Sequence, residues 1–139
     1  MKKYLIILLC AALIIALAAI IFRPKSFAAG NIAQIESFVT SYGWQTDGAP
    51  PSAEKLTLPQ YPGDVFDEYN RIQKEAGLDL TPYYGREVTK YSFVITNHPE
   101  AQGREVFANI LVCDGKVIAA DIMVTSIDGF MHAINKKHA

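Results

Sequence analysis

A chain of 139 residues, half of them hydrophobic, has room for one domain and a short appendage. Its net charge of −1 hides an asymmetry: Lys2, Lys3, Arg23 and Lys25 bracket an apolar N-terminal run, while from Ser26 onward 9 Lys/Arg stand against 14 Asp/Glu. A domain that acidic repels phosphate backbones, which argues against a nucleic-acid partner, and Cys10 and Cys113 fall in different parts of the chain, leaving the domain without an internal disulfide.

Residues Tyr4 to Phe22 carry no charge, glycine or proline. As a helix rising about 1.5 Å per residue the run would be roughly 28 Å long, against a bilayer hydrocarbon core of about 30 Å. The remaining residues form too small a domain to enclose such a helix, so residues 1–25 read as a membrane anchor or a signal peptide. The apolar part of a signal peptide usually runs about 7–15 residues, shorter than this one. Ser26-Phe27-Ala28 has the small-x-small pattern of a cleavage site, but Arg23, Pro24 and Lys25 separate it from the apolar run. An uncleaved single-pass anchor is the favoured reading, and a secreted product the alternative. Lys2, Lys3 and the amino terminus outnumber Arg23 and Lys25, which places the N-terminus in the cytoplasm and the C-terminal domain outside. Cys10 follows Leu9 rather than a small residue, which argues against a lipid attachment.

Residues 26–30 read as a linker and 31–139 as an extracytoplasmic α+β domain. Asn31 is a competent N-cap with Gln34 three residues on; Ile32, Ile35, Phe38, Val39 and Tyr42 recur at helical spacing, and Gly43 suits the stop. Trp44 to Asp47 and Lys55 to Leu58 read as short strands, the second ended by Pro59. A second helix is expected from an Asp64 N-cap, with Val65, Phe66, Tyr69, Ile72 and Ala76 as its apolar stripe and Gly77 as its end. Leu78 to Gly85 is an ordered loop. Strands follow over Arg86 to Thr96, Val106 to Cys113 and Lys116 to Val124, with a polar, flexible connection from Asn97 to Gly103. Asp114-Gly115 predicts a tight hairpin, because a type I′ turn needs positive φ at both positions. The expected architecture is a two-layer domain: two helices on one face of a mainly antiparallel sheet that ends in a three-stranded meander. Val106, Ala108, Ile110 and Val112 make one face of the last hairpin apolar, and Phe107 and Leu111 do the same for the other, which would then be sheltered by loops or free for a partner.

No phosphate loop, nucleophile elbow, HExxH helix or CxxC pair is present, so no catalytic residue, metal ligand set or cofactor is assigned. His98, His132 and His138 lack metal-ligand spacing and read as surface residues. Asp121, inside the apolar strand, must find a partner if buried. Tyr69, Asn70 and Tyr84 are its candidate neighbours in a small-ligand or enzymatic site. Trp44 is expected to cover the core.

Tyr42-Gly43-Trp44, Tyr69-Asn70 with Gln73, Leu78-Asp79-Leu80 with Tyr84-Gly85, Ala119-Ala120-Asp121-Ile122 and Asp128-Gly129-Phe130 occur in that order. In these the chain resembles, over roughly residues 32–132, a family of short membrane-anchored proteins of Gram-positive bacteria known as domain of unknown function 4830. The resemblance implies a place at the outer face of the cytoplasmic membrane and no activity. The expected role is a non-enzymatic binding or regulatory module for a protein or peptide, through Phe107 and Leu111 or a sheet edge. The alternative is the site around Asp121.

Overall fold

The computed structural model describes residues 2–21 and 26–136, with side chains from 3 to 18 in the first stretch. The first stretch is one helix, α1 (Lys2–Ile21), and every side chain described on it from Lys3 to Leu17 is exposed. Among the described residues no helix is long and apolar enough to cross a membrane.

Residues 26–136 form an α+β fold. In chain order the elements are β1 (Phe27–Ala28), α2 (Ile32–Ser41), β2 (Ser52–Thr57), α3 (Asp64–Glu75), a 3-10 turn at Thr81–Tyr83, β3 (Glu87–Ile95), β4 (Val106–Cys113), β5 (Lys116–Val124) and β6 (Met131–Ala133). All strand pairs are antiparallel, in the order β1-β5-β4-β3-β2, and β6 shares the outer edge of β5 with β1. The meander β3–β5 therefore lies where the sequence puts it. Asp114 and Gly115 take φ of 49° and 68°, as a type I′ turn requires.

Capping explains the first domain helix. Asn31 Oδ1 accepts from the Gln34 amide at 2.9 Å, and Gln34 Oε1 accepts from the Gly30 amide at 2.8 Å. Gly43 follows the helix at φ 89°. The second expected cap is displaced: Gly63 is the N-cap of α3, and Asp64 is the first helical residue, where its charge still favours the dipole. Strand β2 begins three residues before the expected Lys55, and of the strand expected at Trp44–Asp47 only a Thr46–Ile95 bridge forms. Two elements are additional. The expected linker contributes β1, and β6 follows the Asp128-Gly129 turn.

The two-layer arrangement is corrected. Ile35, Phe38 and Val39 of α2 pack with Phe93, Ile95, Val106, Ala108, Ile110, Ala120 and Ile122 in the larger core. Phe66 and Tyr69 of α3 pack instead with Leu58, Val88, Leu111, Cys113 and Ala119. Side chains alternate along a strand, so Ile110 and Leu111 point to opposite faces. The helices therefore lie on opposite sides of the sheet. An apolar hairpin with both faces hydrophobic can be buried only by covering both, and the second helix does part of that work.

Helix α3 keeps most of its expected stripe, with Phe66 and Tyr69 on the smaller core and Ala76 buried, but Val65 is 81% exposed and Asn70 and Gln73 are buried beside the stripe. The reason lies at the edge of β5. β1 pairs residues 116–117 and β6 pairs residues 121–123, leaving a gap between them. Gln73 fills it, its Oε1 accepting from the Ala120 amide at 2.7 Å. A glutamine here does a strand's work at one hydrogen bond, while its own Nε2 has no hydrogen-bond partner among the described residues. Gln73→Leu would leave the buried Ala120 amide without an acceptor and should destabilise the domain by about 1–3 kcal/mol in denaturant unfolding. A loss of only a few tenths would mean that this amide has another acceptor.

Candidate functional site

Between α3 and the sheet runs an apolar groove of about 360 Å³. Leu56 and Leu58 from β2 and its exit, Val65, Phe66, Tyr69 and Ile72 from α3, and Leu111 and Met131 line it, with Glu68 and Lys90 as its charged members. Helix α3 is seated at the β5–β6 edge, where Gln73 bonds the Ala120 amide, and Val65, Phe66, Tyr69 and Ile72 form one wall of the groove. Leu111 is only 4% exposed and forms the floor, so it is not the open contact residue expected from the sequence. Phe107 is half-buried on the same face, opposite Val94 and Met123.

Beside the groove a chain of polar side chains crosses the sheet. Tyr69 donates to Asp121 Oδ1 at 2.9 Å, Asn109 Nδ2 donates to Asp121 Oδ2 at 3.1 Å, and Ser92 donates to Asn109 Oδ1 at 2.7 Å. The cross-strand register sets this row, with Ser92 opposite Asn109 and Asn109 opposite Asp121. Asp121 is 1% exposed. Burial pushes its carboxyl up from 3.8 to about 6, although hydrogen bonds from Asn109 and Tyr69 and the charge of Lys90 act the other way. The Tyr69 hydroxyl is held well above its ordinary value by burial and by the adjacent carboxyl.

Of the residues expected near Asp121, only Tyr69 reaches it. Asn70 instead ties down the loop after α3: its Nδ2 donates to Asp79 Oδ1 at 3.0 Å, and its Oδ1 accepts from the Leu80 amide at 2.8 Å. Tyr84 packs edge-on against Phe66, with ring centroids 6.4 Å apart. Its ring belongs to the smaller core. Asn109 and Ser92 were not singled out from the sequence. The signal for Asn109 was a lone amide within the apolar run Val106–Cys113, which needs a partner as much as Asp121 does.

A second polar cluster lies at the end of the sheet where the 98–104 and 125–130 loops meet. His98 and His132 are buried, which corrects their reading as surface residues, and their Nε2 atoms are 3.0 Å apart. Trp44 stacks on His98 at 5.3 Å with an interplanar angle of 2°, and Phe130 covers its other side at 4.6 Å. Arg104 reaches over Phe130 and bonds the Asp128, Ala101 and Glu100 carbonyls, so the 97–103 connection is tied in place rather than loose. The Glu100 amide donates to His98 Nδ1 at 3.1 Å, which leaves the His98 proton on Nε2 and suits a shared proton rather than a bound cation. Among the described residues no group of three or more His, Cys, Asp or Glu is placed to hold a metal. His138 lies outside the described residues. Cys10 and Cys113 are unpaired, and Cys113 is buried at the hairpin.

The family described as a domain of unknown function, DUF4830, matches residues 38–122, more than half of the chain. The chain belongs to the DUF4830 family. The matched segment of this DUF4830 member runs from Phe38 of α2 to Ile122 of β5, so it takes in the groove-lining stretch of α3, Leu111 and the whole Ser92–Asn109–Asp121–Tyr69 row. It ends before His132 and β6. No curated protein and no solved structure matches the chain.

Proposed function

We propose that this DUF4830 protein is a binding or regulatory module, held at the outer face of the cytoplasmic membrane by residues 4–22, that takes up an extended segment of a protein or peptide partner. The observation that carries this reading is the open apolar groove and its position beside the free sheet edge. Leu56 and Leu58 belong both to the groove and to the outermost strand and its exit. The Leu58 amide points inward to Arg86 O, so by antiparallel alternation Ala53, Lys55 and Thr57 present their backbone groups outward. An added strand would satisfy them and drop alternate apolar side chains toward Leu56 and Val65. A second copy of the chain fits poorly, because antiparallel pairing of two β2 edges centred on residue 55 sets Lys55 opposite Lys55, and centred on residue 54 sets Glu54 opposite Glu54.

The uncharged run of α1 from Tyr4, with its side chains exposed to Leu17, favours the anchor. Cleavage after Ala28 is disfavoured for a structural reason. It would remove β1, which pairs with Lys116 and Val117, and would strip Phe27 from Phe38, where the rings meet at 4.7 Å. The alternative, an enzymatic or small-ligand site at Asp121, has no opening in its favour. Among the described residues, neither the groove nor two further cavities, one beside Lys116 and one along α2, is lined by Asp121.

The test is photo-crosslinking in the native membrane from a benzoylphenylalanine at position 65, with position 40 on the exposed side of α2 as control. The expected result is a discrete adduct from position 65 alone, on a mature chain that still carries its N-terminal run. Equal labelling from both positions, or none from 65, would overturn the groove reading. A mature N-terminus at Ala29 would overturn the anchor.

A further inference from the structure

The His98–His132 contact has no counterpart in the groove, and its hydrogen bonds can be assigned. His98 Nδ1 accepts from the Glu100 amide. In a neutral ring its proton is then on Nε2, and it donates to His132 Nε2 across 3.0 Å. His132 must in turn carry its proton on Nδ1, which faces the Ala133 carbonyl at 2.8 Å. All four ring nitrogens are engaged and the tautomers are opposite. An added proton has two places to go, His98 Nδ1 or His132 Nε2, and each already accepts a hydrogen bond. A proton on His98 Nδ1 breaks only the Glu100 bond and leaves His98 donating to His132, whereas a proton on His132 Nε2 sets two donors face to face across the clasp, and protonation of both rings sets two cations 3.0 Å apart. Each also sets a positive charge against the stack that carries Arg104.

We propose that His98 and His132 form an acid-sensitive clasp, closed when both rings are neutral, whose protonation frees β6 and separates the 98–104 and 125–130 loops. β6 has only three residues, Met131–Ala133, and pairs with β5 alone, at residues 121–123. Histidine is the side chain whose ordinary titration range lies between mildly acidic and neutral pH, the range an exposed outer face meets. Among the described residues, Arg104 lies over Phe130, which stacks on His98, Glu100 donates its amide to His98 Nδ1, Asp128 on the facing loop gives its carbonyl to Arg104, and Asp121 lies on β5. Arg104 opposes protonation. Asp121 sits opposite Ala133 in the register, but its carboxyl lies with Tyr69 and Asn109 on the other face. Its protonation is favoured by the fold, the opposite sign to the clasp. Met131 is a wall of the groove, so opening of β6 would also withdraw that wall. This last consequence rests on the groove reading, and the first does not.

The experiment uses the full chain in lipid nanodiscs with nitrogen-labelled histidine. At about pH 7.5 the spectra should show His98 protonated on Nε2 and His132 on Nδ1. On acidification to about pH 5, amide exchange at 121–123 and 131–133, corrected for its intrinsic pH dependence, should rise about tenfold or more. The rise should persist in Asp121→Asn and fall below about twofold in His132→Gln. The same tautomer in both rings, unchanged protection once both have titrated, or a rise abolished by Asp121→Asn would overturn the clasp, and the wild-type arms decide even if His132→Gln does not fold. Crosslinking from position 65 at both pH values judges the groove separately. Capture lost in acid supports the coupling, capture equal at both pH values overturns the coupling, and capture at neither counts against the groove alone.

Discussion

Replacing Trp44 with alanine should remove about 3–5 kcal/mol of stability, the range for deleting a buried large aromatic side chain. Trp44 is 7% exposed and belongs to the larger core. Its Nε1 donates to the Ile134 carbonyl at 2.7 Å, across 90 residues of chain. Its ring also lies flat on His98. One side chain thus joins the end of α2, the β3–β4 loop and the segment after β6. For a domain of this size the loss corresponds to a fall in Tm of about 12 °C or more. Trp44 is the chain's single tryptophan, so unfolding of the variant should be followed by circular dichroism. Trp44→Phe keeps most of the apolar volume and loses the hydrogen bond, for which about 1–2 kcal/mol is expected. Equal losses in the two variants would show that the hydrogen bond, rather than the packing, carries the effect.

Asp121→Asn should stabilise the protein at about pH 8, by about 1–3 kcal/mol, and should have little effect below about pH 4. The wild-type carboxyl has an ordinary value of 3.8 and is pushed to about 6 in the fold by burial. A carboxyl raised in the folded state binds its proton more tightly there than in the unfolded chain. Its protonated form is therefore favoured by folding, and the wild type loses stability as pH rises from about 4 to about 6. Above that range the full penalty, about 3 kcal/mol, is present and constant. Asparagine escapes the penalty and can keep the polar row: Tyr69 still donates to its oxygen, and Asn109 can turn its amide to accept from it while donating to Ser92. Urea unfolding of both proteins across this range measures the difference directly. A gap that stays constant with pH would show that Asp121 is ionised in the fold without penalty.

The same two residues show how far the site was legible in the sequence. An acid amid Ile118, Ala119, Ala120 and Ile122 marked Asp121 as a residue that needs a partner if buried, and the structure buries it. Its partners did not follow. A two-residue turn continued in simple register would set Asp121 opposite Ala108, on the side of the larger core. The structure shifts register between Leu111 and Val112, pairing Leu111 with Ala119 and Val112 with Val117. Ile118 is the extra residue. That bulge turns Asp121 to the α3 side, opposite Asn109, and leaves Ile122 in the core. Local residue preferences mark a hairpin, whereas a bulge is chosen by the packing of both faces, which depends on residues far along the chain.

By itself the amino-acid sequence determined what depends on neighbours within a few positions. That covers the Asn31 cap, the Gly43 and Gly77 stops, the Asp114-Gly115 turn and the three long strands, as well as the apolar character of the N-terminal run. Tertiary structure alone decided the opposite placement of α2 and α3, the use of Gln73 as a stand-in for a strand, the groove beneath Val65 and Phe66, and the meeting of His98 with His132 across 34 residues. Propensity and capping energies are local and readable in order. Which face a helix covers, and which buried donor finds which acceptor, is settled by the sum of burial over the whole domain, a sum that no short window of sequence contains.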